Sequence, residues 1–362
     1  MDIDQLLRSM AQHGASDLHV QAGSPPAMRI HGNLHPVKTD PLTGEDIAGF
    51  INQIANDVHR GELEDNRAAD FAYRIEGVAR FRVAAFYERE NISIVFRRIS
   101  EEPPKFEDLG LPPVIEEISQ AERGLVVVTG TTGSGKSTTL AAMIDWINRN
   151  RAQRIITIED PIEYVHTSAK SLVAQREVGV DTTGFLHSLR EALRQDPDVM
   201  LIGELRDQET MATAMQAADT GHLVLATIHT TNAMQTIQRI IALFPANERE
   251  LMLMQLATNL EAIISQRLAR VPDGKGRVPV VEVLRGVPIT KKVILEGEMT
   301  KLTQVIASRE MGMQLFDQHL IELYQQKKIS GTEALRLASN PEAVKLSRTG
   351  IKNADLAGGL VR

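Results

Sequence analysis

Apolar residues recur along this chain with two periods, and the change from one to the other divides it. Over residues 3–13, Ile3, Leu6, Leu7 and Met10 fall at helical spacing, and Gly14 ends the run before a short strand at residues 18–20. Residues 28–30 can pair with that strand across the Gly-Ser-Pro-Pro turn. A second amphipathic helix is predicted over residues 45–58. The stretches FAYRI, ARFRVAAF and ISIVFRRI then alternate apolar with polar positions, the pattern of an antiparallel sheet. These elements make one small α+β domain over residues 1–100. The next stretch, EEPPKFEDLGLPP, is rich in proline and acid, and residues 101–112 read as a linker.

Beyond it strand and helix patterns alternate: GLVVVT, RIITIED, a helix over 185–194, DVMLIGE, a helix over 209–218, and HLVLATIH. That order predicts a parallel sheet wrapped by helices, so the fold class is α/β, with a second domain over residues 113–340. From 247 to 268 the pattern reads as helical, with Leu251, Met254, Leu260, Ile263 and Ile264 on its apolar side. VPVVEVL is one further strand, and the rest is helical and more polar. Met200, Met211, Met215, Met234, Met252 and Met254 read as filling irregular gaps in the core. Residues 341–362 mix charge, Gly and Ala without a period and read as a flexible tail.

Composition narrows the function classes. A length of 362 residues suggests about two domains, and 43% hydrophobic residues suffice for a sizeable core. The 40 Lys and Arg against 47 Asp and Glu leave a net charge of -7, which disfavours a general nucleic-acid or membrane-surface binder. No apolar run approaches the ~18 residues that span a bilayer, and the amino terminus lacks the regions of a signal peptide, so a cytoplasmic protein is expected. The chain has no cysteine, which excludes disulfides and thiolate metal sites.

The chemistry centres on GLVVVTGTTGSGKST, a buried strand, a glycine-rich loop and a helix start that fit G-x-x-x-x-G-K-[ST]. Gly130, Thr131, Thr132, Gly133, Ser134, Gly135, Lys136, Ser137 and Thr138 make up the loop. The glycines permit turns that aim successive N–H groups at one anion, Lys136 reaches the outer phosphates, and Ser137 offers its hydroxyl to Mg²⁺ beside the positive end of the helix dipole. Hydrolysis needs carboxylates as well. Glu204, straight after the apolar run at 199–202, sits where such a fold places its metal-side carboxylate, in contact with Mg²⁺ partly through water. Glu163 of TIEDPIEY is a second candidate, although Asp160-Pro161 also reads as a simple turn. His229 ends a strand beside Thr230 and Thr231 and reads as a γ-phosphate sensor, although a histidine such as it or His222, taken alone, is more often structural. Arg80, Arg82, Arg97 and Arg98 read either as a solvated strand face or as a source of arginine fingers.

GTTGSGKSTTLAAMIDWIN, IEDPIEY, QREVGVDT, LRQDPDVMLIGELRD and TGHLVLATIHTTNA together resemble the secretion-superfamily hexameric ATPases, specifically the type IV pilus retraction motors of the PilT/PilU type. The resemblance implies an amino-terminal PAS-like domain and a RecA-like P-loop ATPase domain with a helical carboxy-terminal extension, in a ring of six with ATP and Mg²⁺. It makes residues 130–138 the Walker A loop, Glu163 the catalytic glutamate, Glu204 the Walker B acid, and His222 and His229 members of the His box that join the nucleotide site. Arg80, Arg82 and Arg97 lie where the family's amino-terminal domain contacts phosphate. The implied partners are five further copies, an inner-membrane pilus platform protein at which the ring docks, and a paralogous retraction ATPase, with no nucleic acid. VPITKKVILEGEMTKL departs from the AIRNLIRE-like segment of the PilT branch. PDGKGR, FDQHLIELYQQKKISGTEAL and ASNPEAVKL look closer to the PilU branch, whose members assist a PilT motor.

Overall fold

The computed structural model describes residues 2–348 except 31, 100, 101 and 275. Two compact units emerge. The first takes residues up to Glu102 together with Asp160–His166 and Glu177–Asp181. The second takes Pro103–Glu159, Thr167–Arg176 and the residues from Thr182 onward.

The first unit opens with α1 (Ile3–Gln12), capped by the Asp2 carboxylate, which accepts the Asp4 N–H at 3.1 Å. Its face of Ile3, Leu6, Leu7 and Met10 is buried, as the periodicity predicts. Strands β1 (Asp17–Val20), β2 (Ala27–Ile30) and β3 (Asn33–Pro36) precede helices α2 (Gly44–Ile54) and α3 (Asp57–Asn66), followed by β4 (Ala68–Ile75), β5 (Ala79–Glu88) and β6 (Asn91–Ile99). They pair in one antiparallel sheet, β3-β2-β1-β6-β5-β4. Along β5, Phe81, Val83 and Ala85 face the core while Arg80 and Arg82 face away. The single helix expected over 45–58 is two: Ala55 is extended, and the Asn56 side chain restarts the helix by accepting the His59 N–H at 2.9 Å.

Downstream come α4 (Phe106–Leu109), α5 (Val114–Ser119), β7 (Gly124–Thr129), α6 (Lys136–Asn150), β8 (Arg154–Glu159), β9 (Leu172–Glu177), α7 (Phe185–Ala192), β10 (Val199–Ile202), α8 (Gln208–Asp219), β11 (Leu223–Ile228) and α9 (Ala233–Ala242). After these lie α10 (Arg249–Asn259), β12 (Leu260–Arg270), β13 (Arg277–Arg285), α11 (Pro288–Leu295), α12 (Leu302–Ala307), α13 (Phe316–Gln325), α14 (Gly331–Leu337) and α15 (Pro341–Arg348). The sheet order is β13-β12-β7-β11-β10-β8-β9. Neighbours from β12 to β8 are parallel, and β13 lies antiparallel to β12. Strands β7, β10 and β11 are buried throughout, which places the loops after them at one edge of the sheet. The fold is thus the α/β one expected, with an amino-terminal sheet domain and a helical carboxy-terminal part.

Three expectations are corrected. The helix read over 247–268 ends at Asn259, and residues from Leu260 form β12, between β7 and β13. That strand is buried on both faces, so its apolar run shows no alternation by which to recognise it. Leu251 and Met254, expected on the apolar side, are 57% and 52% exposed. Within the stretch read as a linker, Phe106 and Leu111 pack on the second unit's core; its residue 101 lies outside the described residues. The stretch read as a flexible tail begins with α15, where Pro341 suits the first helical turn and Val344 is buried; residues 349–362 lie outside the described residues.

The carboxy-terminal part closes the β13 edge of the sheet. Val283 N–H donates to the Gln314 carbonyl at 2.9 Å, the Gln314 side-chain amide donates to the Val281 carbonyl at 2.9 Å, and the Val281 N–H donates to Nδ1 of His319 at 2.9 Å. The Arg267 guanidinium lies 3.9 Å over the Phe316 ring, joining α13 to β12.

Candidate nucleotide site

The loop after β7 turns through glycines in left-handed backbone, Gly133 at φ 76° and Gly135 at φ 95°, the latter leading into α6 without a side-chain cap. An uncapped helix start presents its first N–H groups to an anion. At Gly130, with φ 143°, a Cβ would stand 2.4 Å from Ser134 Oγ and 2.5 Å from the Gln266 carbonyl oxygen. Lys136 is buried and donates from Nζ to the carbonyls of Gly130 at 2.9 Å and Thr131 at 3.2 Å. Thr131, Thr132 and Gly133 are exposed, and Ser137 and Thr138 are half-buried in the first turn of α6. Ser134 is buried, and its Oγ has no hydrogen-bond partner among the described residues. A glycine-permitted turn, an uncapped helix start and an orphaned hydroxyl fit a phosphate chain. A cleft of about 580 Å³ adjoins the loop, bounded also by Thr231 and by Arg270, Arg277 and Arg336.

Glu204 leaves the end of β10, one strand beyond β11 from the loop, with its side chain 16% exposed. Its Oε2 lies 2.7 Å from the Arg206 guanidinium and 3.5 Å from Nε2 of His229. Glu204 and His229 are therefore neighbours, while Thr231 reaches the cleft beside the loop. Within the chain, His222 lies apart from the phosphate loop. His222 precedes β11, whereas the phosphate loop and His229 lie at the other ends of their parallel strands. Six strand residues at about 3.3 Å each separate the two edges by roughly 20 Å, and His222 Nδ1 instead meets the Ala217 carbonyl at 2.9 Å.

In the first unit, Arg82 and Arg97 are direct partners across β5 and β6, and Arg80 is two residues along the same face. Each meets a carboxylate. Arg80 pairs with buried Glu177 at 2.5 Å, Arg97 Nε donates to Asp17 Oδ1 at 2.8 Å, and Arg82 approaches Asp70 at 3.8 Å. Burial raises the Asp17 carboxyl, but hydrogen bonds from Ser16 and Arg97 outweigh it and hold it below its usual range. Glu163 is exposed in the segment Asp160–His166, which belongs to this unit.

Some residues of the site escape a reading of the sequence. Arg206 is visible only as a charge two positions after Glu204. Gln266 and Glu282 are buried polar residues inside the apolar runs IISQRL and VVEVL, and that interruption is the signal that could have marked them. Glu282 is pushed up to about 7 by burial, opposed by the Ala233 N–H and by Arg267.

Residues 1–351 match the family described as Type II/IV secretion system protein. The chain belongs to this family. Within it the chain is of the PilT/PilU type. It is 44% identical to the type IV pilus ATPase PilU of Pseudomonas aeruginosa, over 96% of this chain and 91% of that protein. It is also 44% identical to the type IV pilus retraction ATPase PilT of the same organism, over 94% of this chain and 99% of that protein. The crystal structure of the pilus retraction motor PilT with bound ADP superposes with a TM-score of 0.89 at 44% identity, covering 96% of this chain and 99% of that one. The family match spans both units, so the sheet domain and the phosphate-loop domain belong to one inherited architecture. Among the described residues, no helix is long and apolar enough to cross a membrane.

Proposed function

We propose that the chain is a cytoplasmic Mg²⁺-dependent ATP hydrolase that works as a homohexamer at the inner-membrane base of a type IV pilus, docked on a platform protein, and drives pilus retraction. The observation that carries the reading is the meeting of Glu204 and His229 at the strand edge that bears the phosphate loop. In it, residues 130–138 hold the phosphates, with Lys136 exchanging its two carbonyl partners for phosphate oxygens. Ser137 and Glu204 would hold Mg²⁺, which would supply positive charge to the γ-phosphate when bound. Glu163 orients the attacking water, and His229 senses the γ-phosphate. Arg80, Arg82 and Arg97 are the candidate arginine fingers. Arg82 has the longest ion pair of the three and is the best placed of them to exchange partners.

A second reading is favoured by the carboxy-terminal part: an accessory ring of the PilU kind that binds ATP and works through a paralogous motor. Overall identity does not separate the two, being 44% to each. Steady-state hydrolysis by the purified chain alone does. Turnover above that of Glu204→Gln supports the autonomous motor, and turnover equal to it with ATP still bound supports the accessory ring. Lys136→Ala should abolish tight ATP binding, whereas Glu204→Gln should keep ATP bound and stop turnover; wild-type affinity in Lys136→Ala would sink the assignment.

A further inference from the structure

Glu282 lies on β13 and is 7% exposed, an expensive place for a carboxylate unless something in the fold compensates it. Its Oε1 accepts the Ala233 N–H at 2.9 Å, and Ala233 is the first residue of α9. The residues immediately before it are His229, Thr230, Thr231 and Asn232, the turn that carries the histidine beside Glu204 and the threonine that bounds the phosphate-loop cleft. Side-chain ties also hold this turn to its own helix: the Asn232 side chain accepts the Gln235 N–H at 2.8 Å, Thr230 Oγ1 lies 2.7 Å from Thr236 Oγ1, the Thr231 hydroxyl donates to Gln235 Oε1 at 2.6 Å, and the Thr236 hydroxyl donates to the Asn232 carbonyl at 2.8 Å. All four are local. The bond to Glu282 instead fixes the turn and helix to another strand of the sheet. Directly across the ladder from Glu282 is Ser265 of β12, which meets the Thr129 hydroxyl at 3.0 Å, and Thr129 is the last residue before the phosphate loop. The carboxylate thus stands one hydrogen bond from the histidine turn and one strand from the base of the loop. The charged groups that face it are Arg267 of β12 and Asp317 of α13.

We infer that Glu282 is a positioning residue, which sets His229 at the depth where it distinguishes a nucleotide that carries a γ-phosphate from one that does not. The inference rests on the proposed reading of His229 as the γ-phosphate sensor, but it needs no turnover and so holds for a motor or an accessory ring alike. The experiment is equilibrium binding of ADP and of the non-hydrolysable β,γ-imido analogue of ATP to the full chain with Mg²⁺.

Wild type should prefer the analogue. Glu282→Leu should lower that preference roughly fivefold or more, the worth of one buried hydrogen bond, while ADP affinity stays unchanged. Glu282→Gln keeps an acceptor oxygen and should stay within about twofold of wild type. Ala233→Pro removes the donor from the other side. Proline suits the first position of a helix, and Asn232 before it is already extended at φ -158° and ψ 171°, so the helix should survive while the preference falls as in Glu282→Leu. The double variant should lose no more than either single one. Should Glu282→Leu fail to fold, Ala233→Pro decides alone. An unchanged preference in the variants, equal losses for ADP and the analogue, or additive losses in the double variant would overturn this inference alone. A wild-type chain that binds neither nucleotide overturns the ATPase reading instead.

Discussion

The α-carbon of Gly130 faces two oxygens that leave no room for a methyl group, one from Ser134 of its own loop and one from Gln266 of β12. An added carbon at 2.4 and 2.5 Å from them would force the loop away from β12 or turn its backbone out of the left-handed region. Gly130→Ala should therefore cost roughly 1–3 kcal/mol in stability and lower nucleotide affinity by more than tenfold. Chemical denaturation and titration with a fluorescent ADP would measure the two. A variant that binds as wild type does would show that the loop tolerates the shift and that Gly130 is there for folding alone. The same closeness explains why the motif reads so plainly in the sequence: each of its residue types answers a separate steric or electrostatic demand. His222 carried no such constraint. Its place was set by which end of β11 it occupies, and spacing along the chain does not reveal which residues lie at the phosphate end until strand direction is known.

Among the elements, β13 and the helices that cover it carry a pH dependence. Burial pushes the His319 imidazole down to about 4, because the ring has little water to stabilise a charge and its Nδ1 accepts the Val281 N–H. An unfolded histidine titrates near 6.5, so the unfolded chain takes up a proton that the folded chain refuses. The contribution is fully present above about pH 6.5 and is lost as pH falls through about 4. It amounts to roughly 3 kcal/mol across that window. Glu282 of the same strand, pushed up to about 7, acts in the opposite sense over this range, so the effect of His319 is read from the variant: His319→Gln should lose less melting temperature from pH 7 to pH 4 than wild type, and an equal change in both would assign the effect to other groups. Elements whose two faces differ were legible beforehand: α1 with Ile3, Leu6, Leu7 and Met10 buried, and β5 with its arginines alternating against Phe81 and Val83. Elements alike on both faces were not. β12 is apolar on both sides and passes for helix, while β3 is exposed on both sides and leaves no pattern at all.

For the molecule as a whole, the proposed hexamer sets a dependence on concentration. If ATP turnover needs arginines and carboxylates from more than one subunit, the rate per subunit should rise through the range in which sizing shows rings to form, then level off. A rate per subunit that stays constant on dilution to monomers would mean that each chain turns over by itself. How the copies can meet is also decided by the sheet. At β13 the ladder ends on side chains and a bridging residue, Gln314, with the His319 ring behind it. An open ladder would invite the same strand of another molecule to zip onto it, in a union that is tight, repetitive and hard to undo. With the outward groups of Val281 and Val283 already engaged, encounters at that edge are left to side-chain surfaces instead of a continued ladder.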